Sequence, residues 1–264
     1  MKKHLLGVLG ITAIAFGYGT PADASAILNF QTGAASALCD TRVIFSATNC
    51  GAGFVAAPLG DTIAFVGAVG SWNIDTLAIT TSNSPGTATL GKINLALGDV
   101  RHLSSPAEDL TVDYGHDNFT APPGALNLSA TGAASYDVAQ VDGTFVDSSQ
   151  ITGYASNAND MAIPGGTSAT ALDIVTNVPG CFPLAGNSQS CAMNSPDVAF
   201  AHLGGLYSLA ARQVLHQHVS ATDQTGYLGK AAVVPIVPEP ATLILFGSGL
   251  IGLAAAARRR RKQQ

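Results

Sequence analysis

Between Ile27 and Val234 the chain alternates apolar and polar residues in short runs. Leu110, Val112 and Tyr114 interleave with Asp109, Thr111 and Asp113. Leu126, Leu128 and Ala130 interleave with Asn127, Ser129 and Thr131, and Ile93, Leu95 and Leu97 with Lys92, Asn94 and Ala96. A period of two sends successive side chains to opposite faces, so each run predicts a strand with one buried face. Trp72 to Thr80 is less regular. Trp72 and Ile74 share one face and Leu77 and Ile79 the other, which asks for a bulge or break near Asp75–Thr76. Arg212–Ser220 reads as a late strand, and Ala231–Val234 as a final one or the start of a linker.

Turn residues punctuate these runs: Asn83-Ser84-Pro85-Gly86, Ala121-Pro122-Pro123-Gly124, Asp142-Gly143 and Pro164-Gly165-Gly166. Asp142-Gly143 suits a tight hairpin, because Asp-Gly tolerates positive φ. Asn157–Ser195, rich in Ala, Gly, Ser, Asn and Pro, reads as long loops. No stretch of the body joins helical periodicity to good helix formers over three turns. The expected fold is all-β, a sandwich-like domain with long loops spanning 27–234.

The two ends follow different rules. Lys2 and Lys3 precede an uncharged run from Leu5 to Phe16, then Thr20-Pro21 and the small pairs Ala22/Ala24 and Ala24/Ala26. This is the grammar of a secretory signal peptide over 1–26, with cleavage after Ala24 or after Ala26. At the other end Ala241–Ala257 is uncharged and Arg258–Lys262 is a block of cations. At the helical rise these residues extend about 25 Å, a short membrane-crossing helix that snorkelling arginines and local thinning accommodate. The cations keep to the cytoplasmic face, leaving the body outside. Pro235, Pro238 and Pro240 hold the segment before the helix extended and exposed.

Val237-Pro238-Glu239-Pro240-Ala241-Thr242-Leu243, the apolar segment with Gly247-Ser248-Gly249-Leu250-Ile251-Gly252-Leu253, and Arg258-Arg259-Arg260-Arg261 together resemble the PEP-CTERM sorting signal. The resemblance covers the tail, 235–264, with the motif at 237–240, the transmembrane helix at 241–257 and the basic stop at 258–262. It implies recognition by a membrane exosortase, cutting near Pro238-Glu239-Pro240, and a place at the cell surface or in an exopolysaccharide matrix or biofilm. An inner-membrane anchored precursor would then precede the surface form. Ser248, Gly252 and Ala256 recur every four residues, a face on which another helix can approach closely.

Removing both ends leaves a body with five cations, Arg42, Lys92, Arg101, Arg212 and Lys230, against 15 carboxylates, a net charge of −10. Such a surface repels polyanions and excludes nucleic acid as a partner. Four cysteines remain in two local pairs, Cys39/Cys50 and Cys181/Cys191. In an oxidising compartment they predict two loop-closing disulfides, although four cysteines allow three connectivities. A zinc site is the alternative, without the usual CxxC or HxxxH companions.

Candidate chemistry is sparse. Asp109, Asp113, His116 and Asp117 offer hard ligands at a strand end, off the spacing of a calcium loop. His216 and His218 lie two apart, with His202 nearby in sequence, and a solvated strand face accounts for them equally. No GxSxG elbow and no Walker-type loop occur. The expectation is therefore a non-enzymatic surface protein with no catalytic residue, metal or cofactor. The alternative is a secreted carbohydrate-binding module or hydrolase with a loop-borne site.

Overall fold

The computed structural model describes residues 25–235 except 34, 43–49, 57–61, 85, 88–89, 105–107, 137–146, 175–180, 184–188 and 221–223. Residues 1–24 of the expected signal segment, residues 236–264 of the expected tail and the Asp142-Gly143 turn lie outside the described residues, whereas Ala26 opens the first strand and Pro235 closes the last. Described secondary structure is all strand, in two antiparallel sheets. One sheet runs β10 (Thr167–Ile174), β9 (Ser148–Ser156), β14 (Leu206–His216), β7 (Leu110–Thr120), β1 (Ala26–Gln31), β2 (Ser36–Asp40). The other runs β11 (Cys181–Pro183), β12 (Gln189–Asn194), β8 (Gly124–Tyr136), β15 (Thr225–Pro235), β6 (Gly91–His102), β5 (Trp72–Ser82), β4 (Thr62–Val69), β3 (Phe54–Ala56), with β13 (Val198–His202) also on β8.

The period-two runs become β6, β7 and β8, and their apolar members turn inward. Ile93, Leu95 and Leu97, then Leu110, Val112 and Tyr114, then Leu126, Leu128 and Ala130 are all buried. Each fully buried large apolar side chain contributes about 1.5–3 kcal/mol, so these three strands, central in their sheets, anchor the sandwich. Phe30, Phe54 and Phe65 add an aromatic cluster under β1, β3 and β4, with the Phe54 and Phe65 rings 4.6 Å apart.

The break expected in β5 is present. Pairing with β6 shifts between Ile74 and Ile79, and pairing of β4 with β5 shifts between Phe65 and Gly67. The inward face nevertheless stays on even positions of β5, since Trp72 and Ile74 are buried before the break and Ala78 and Thr80 after it. The face does not switch to odd positions, as the apolar pattern of Leu77 and Ile79 had suggested. Asp75 at the bulge forms an ion pair with Arg101 on β6.

Asn157–Ser195 departs from the loop expectation, because it contributes β10, β11 and β12. Those strands lie at the ends of the two sheets, where small residues such as Ala169 and Ala171 leave only a faint alternation for sequence to reveal. β14 begins at Leu206, earlier than the Arg212 start expected, and ends at His216. The last strand runs to Pro235, where the missing N–H ends the ladder.

Glycines set the spacing between sheets. A Cβ on Gly153 of β9 would stand 2.9 Å from the Ala231 Cβ of β15. One on Gly229 of β15 would stand 2.5 Å from the Tyr114 hydroxyl, 2.8 Å from Gln213 Oε1 and 3.0 Å from Ile151 Cδ1. The two sheets approach as closely as they do because those side chains are absent.

Candidate functional site

Strand register brings both ends of the body to one end of the sandwich. Ala26 pairs with His116 on β7, Leu206 pairs with Thr120, and Pro235 pairs with Leu126 on β8. Gly91 pairs with Val233, and His202 with Gly124. The β5–β6 turn, the β7–β8 crossing, the β13–β14 turn, the first residue of β1 and the last residue of β15 therefore share this end.

Three of its loops are uncharged. Residues 83–91, 118–126 and 198–211 contain no Asp, Glu, Lys or Arg. Pro122, Pro123 and Ala125 are exposed, and Leu203 and Leu206 flank Gly204-Gly205 with 80% and 40% of their surface open. Gly204 and Gly205 have φ of 90° and 89°, the left-handed conformation glycine adopts without strain, and they turn Leu203 outward. Beneath the tip His202 is fixed by Asn157 Oδ1 at 3.1 Å and the Ala121 carbonyl at 3.1 Å.

Two carboxylates stand at the same end. Asp40 is gripped by Arg42, with Nε 3.0 Å from both oxygens, and Arg42 also donates to the Asp160 carbonyl at 2.9 Å. Burial alone would raise Asp40, and the Arg42 hydrogen bonds and charge outweigh it, holding the carboxyl below its usual range. Asp117 is 8% exposed. It accepts the Ser25 N–H at 2.6 Å, and its own N–H donates to the Ser25 carbonyl at 3.2 Å. Burial pushes Asp117 up despite those bonds and the nearby Arg42.

The structure separates the acidic cluster that sequence placed at a strand end. Asp113 makes a bidentate pair with Arg212 at 2.7 and 2.8 Å, and Asp109 meets His216 Nδ1 at 2.7 Å. His116 is buried with Nε2 3.2 Å from the Thr80 hydroxyl, and burial pushes it down to about 3, so the ring is neutral. Each ligand is thus committed to a different neighbour. The histidines part likewise, since β14 ends at His216 and the chain then turns. His218 is buried, its Nδ1 2.9 Å and its N–H 2.8 Å from Asp147. Among the described residues no three His, Cys, Asp or Glu stand close enough to hold a metal ion. The Asp147–His218 and Asp117–Ser25 contacts escaped sequence reading, because they join residues 71 and 92 apart that no local pattern links.

Cys39 and Cys50 form a disulfide with Cα atoms 4.0 Å apart, across an antiparallel bridge. Cys191 is also disulfide-bonded, and the β11–β12 register sets Cys181 directly opposite it.

Comparison with known proteins locates one assigned feature. Residues 237–261 match the PEP-CTERM protein-sorting motif, so the chain carries the signal of an exported, exosortase-processed protein that reaches the cell surface. No curated protein sequence matches the chain. Among solved structures, TmCBM61 in complex with beta-1,4-galactotriose aligns at TM-score 0.26 and 7% identity, over 61% of this chain and 86% of that one. TmCBM27, a carbohydrate-binding module described for specific mannan recognition, aligns at 0.28 and 12%, over 63% and 90%. The K1 cleaved adhesin domain of Lys-gingipain from Porphyromonas gingivalis W83 aligns at 0.26 and 11%, over 65% and 96%.

Proposed function

We propose that this chain, bearing the PEP-CTERM signal, is a non-enzymatic surface or matrix protein whose body is carried to the membrane by a signal peptide and freed by an exosortase. The observation that carries the reading is the sorting motif at 237–261, which begins two residues after the last body strand ends at Pro235. The domain plan is a signal cut after Ala24 or Ala26, a body whose strands run from β1 to the end of β15 at Pro235, and the sorting tail beyond it. In the precursor, Ala241–Ala257 crosses the inner membrane and Arg258, Arg259, Arg260 and Arg261 stay inside. The stretch from Pro235 to Ala241 spans only about 20 Å when extended, so the uncharged loops with Leu203, Leu206, Pro122 and Pro123 stand close to the bilayer. Apolar, uncharged loops suit that position, and the anionic body suits release outward.

The released body contacts exopolysaccharide as a matrix component. Asp113, Asp109 and Asp147 each hold a side chain from another segment, Arg212, His216 and His218, and so tie parts of the body together. The test is the C-terminal mass of the surface form from cells with an intact exosortase. The expected form ends near Glu239, and replacing Pro238, Glu239 and Pro240 by alanine leaves insertion intact and traps the uncut chain. A surface form still ending at Gln264 would replace this reading with a permanent anchor.

A further inference from the structure

We infer that the mature chain begins at Ser25, and that the ammonium released there is captured by Asp117 as a built N-terminal clamp. The inference rests on reading 1–24 as a cleaved export signal.

Sequence offers two cleavage points, after Ala24 and after Ala26. The structure distinguishes them. Ala26 is completely buried at the start of β1, where its N–H donates to the Thr41 hydroxyl at 2.7 Å and its carbonyl accepts the Thr41 N–H at 2.9 Å. It also pairs in register with His116 on β7. Cutting after Ala26 would remove the first residue of the strand and strand the Thr41 partners. Cutting after Ala24 leaves β1 whole and frees Ser25, which lies outside the strand.

The Ser25 nitrogen is 2.6 Å from Asp117 Oδ1. Hydrolysis of the Ala24–Ser25 bond consumes one water, leaves a carboxylate on Ala24 and turns this amide N–H into an ammonium. A neutral hydrogen bond to a mostly buried carboxylate then becomes an ion pair with charge-assisted hydrogen bonds, which are shorter and stronger than neutral ones. Asp117 has reason to need that cation. Burial disfavours its charge, and among the described residues the cation acting on it is Arg42, whose guanidinium is already held by Asp40. The neighbouring His116 is neutral and contributes no charge. Removal of the signal thus completes the body's electrostatics, and the folded mature form gains over its precursor.

Two measurements on the exported full chain test this. The N-terminal mass of the mature protein should begin at Ser25. A start at Ile27 overturns the clamp while leaving export standing, and a start at Met1 overturns the export reading itself, and the clamp with it. Selective acetylation of the α-amine of the mature protein should lower its Tm by roughly 2–4 °C. The same acetylation should leave Asp117→Asn unchanged, because the charge partner is gone. An equal loss in both proteins, or none in the native one, overturns the clamp. Should Asp117→Asn fail to fold, insertion of one glycine before Ser25 displaces the ammonium instead. It should lower Tm as acetylation does, and an unchanged Tm would count against the clamp.

Discussion

Gly229→Ala should destabilise the body through a clash that a second substitution relieves. The new Cβ would meet the Tyr114 hydroxyl at 2.5 Å, Gln213 Oε1 at 2.8 Å and Ile151 Cδ1 at 3.0 Å, all from the facing sheet. Tyr114 is fully buried, so its ring has little room to withdraw. Overpacking of this kind costs about 1–3 kcal/mol. Alanine recovers about 0.5–1 kcal/mol of backbone entropy. The net loss is therefore about 0–2.5 kcal/mol, centred near 1 kcal/mol, and at that centre the Tm drop is roughly 2–4 °C for a body of this size. Tyr114→Phe removes the closest clashing atom. Among the described residues that hydroxyl has no hydrogen-bond partner, so its loss alone costs little. In a double-mutant cycle followed by urea unfolding, Gly229→Ala combined with Tyr114→Phe should recover about half of the single-mutant loss, a coupling of about 0.5–1 kcal/mol. Additive effects, or a Gly229→Ala protein as stable as the parent, would refute the reasoning that a missing side chain sets the sheet spacing.

Three further outcomes are expected. Peptide mapping without reduction should recover Cys39–Cys50 and Cys181–Cys191, and Cys39→Ser with Cys50→Ser should cost about 3 kcal/mol by the loop-entropy estimate; a Cys39–Cys181 peptide would contradict it. His116, pushed down to about 3 by burial, stays neutral in the fold while the unfolded chain takes up a proton near 6.5. Its folded pKa is the lower, so its contribution is present above 6.5 and fades as pH falls toward 3, by up to about 1.4 kcal/mol per pH unit, and His116→Gln should flatten urea-unfolding stability across that window. Replacing Arg258, Arg259, Arg260 and Arg261 by glutamine should let the tail slip outward, read as a larger share of full-length chain in the soluble fraction; unchanged membrane retention would show that the cations do not hold it.

Most of what names a destination lies in the tail, where Pro238-Glu239-Pro240, an apolar run and four arginines follow one another. That order is legible in sequence because a bilayer reads linear segments by length, hydropathy and flanking charge. The all-β character was legible too, since Leu110, Val112 and Tyr114, or Ile93, Leu95 and Leu97, announce a buried face through their own spacing. The outer strands β10 to β12 were hidden for the converse reason. Ala169, Ala171 and Ala192 give weak alternation, and strands at the margins of a sheet need few large side chains. The fate of each polar residue belonged wholly to tertiary structure. Asp109, Asp113, His116 and Asp117 are neighbours in the chain, but a strand turns them to opposite faces and packing hands each a different partner. Ser25 and Asp117 became partners only through the β1–β7 register, which depends on long-range pairing that no local pattern encodes.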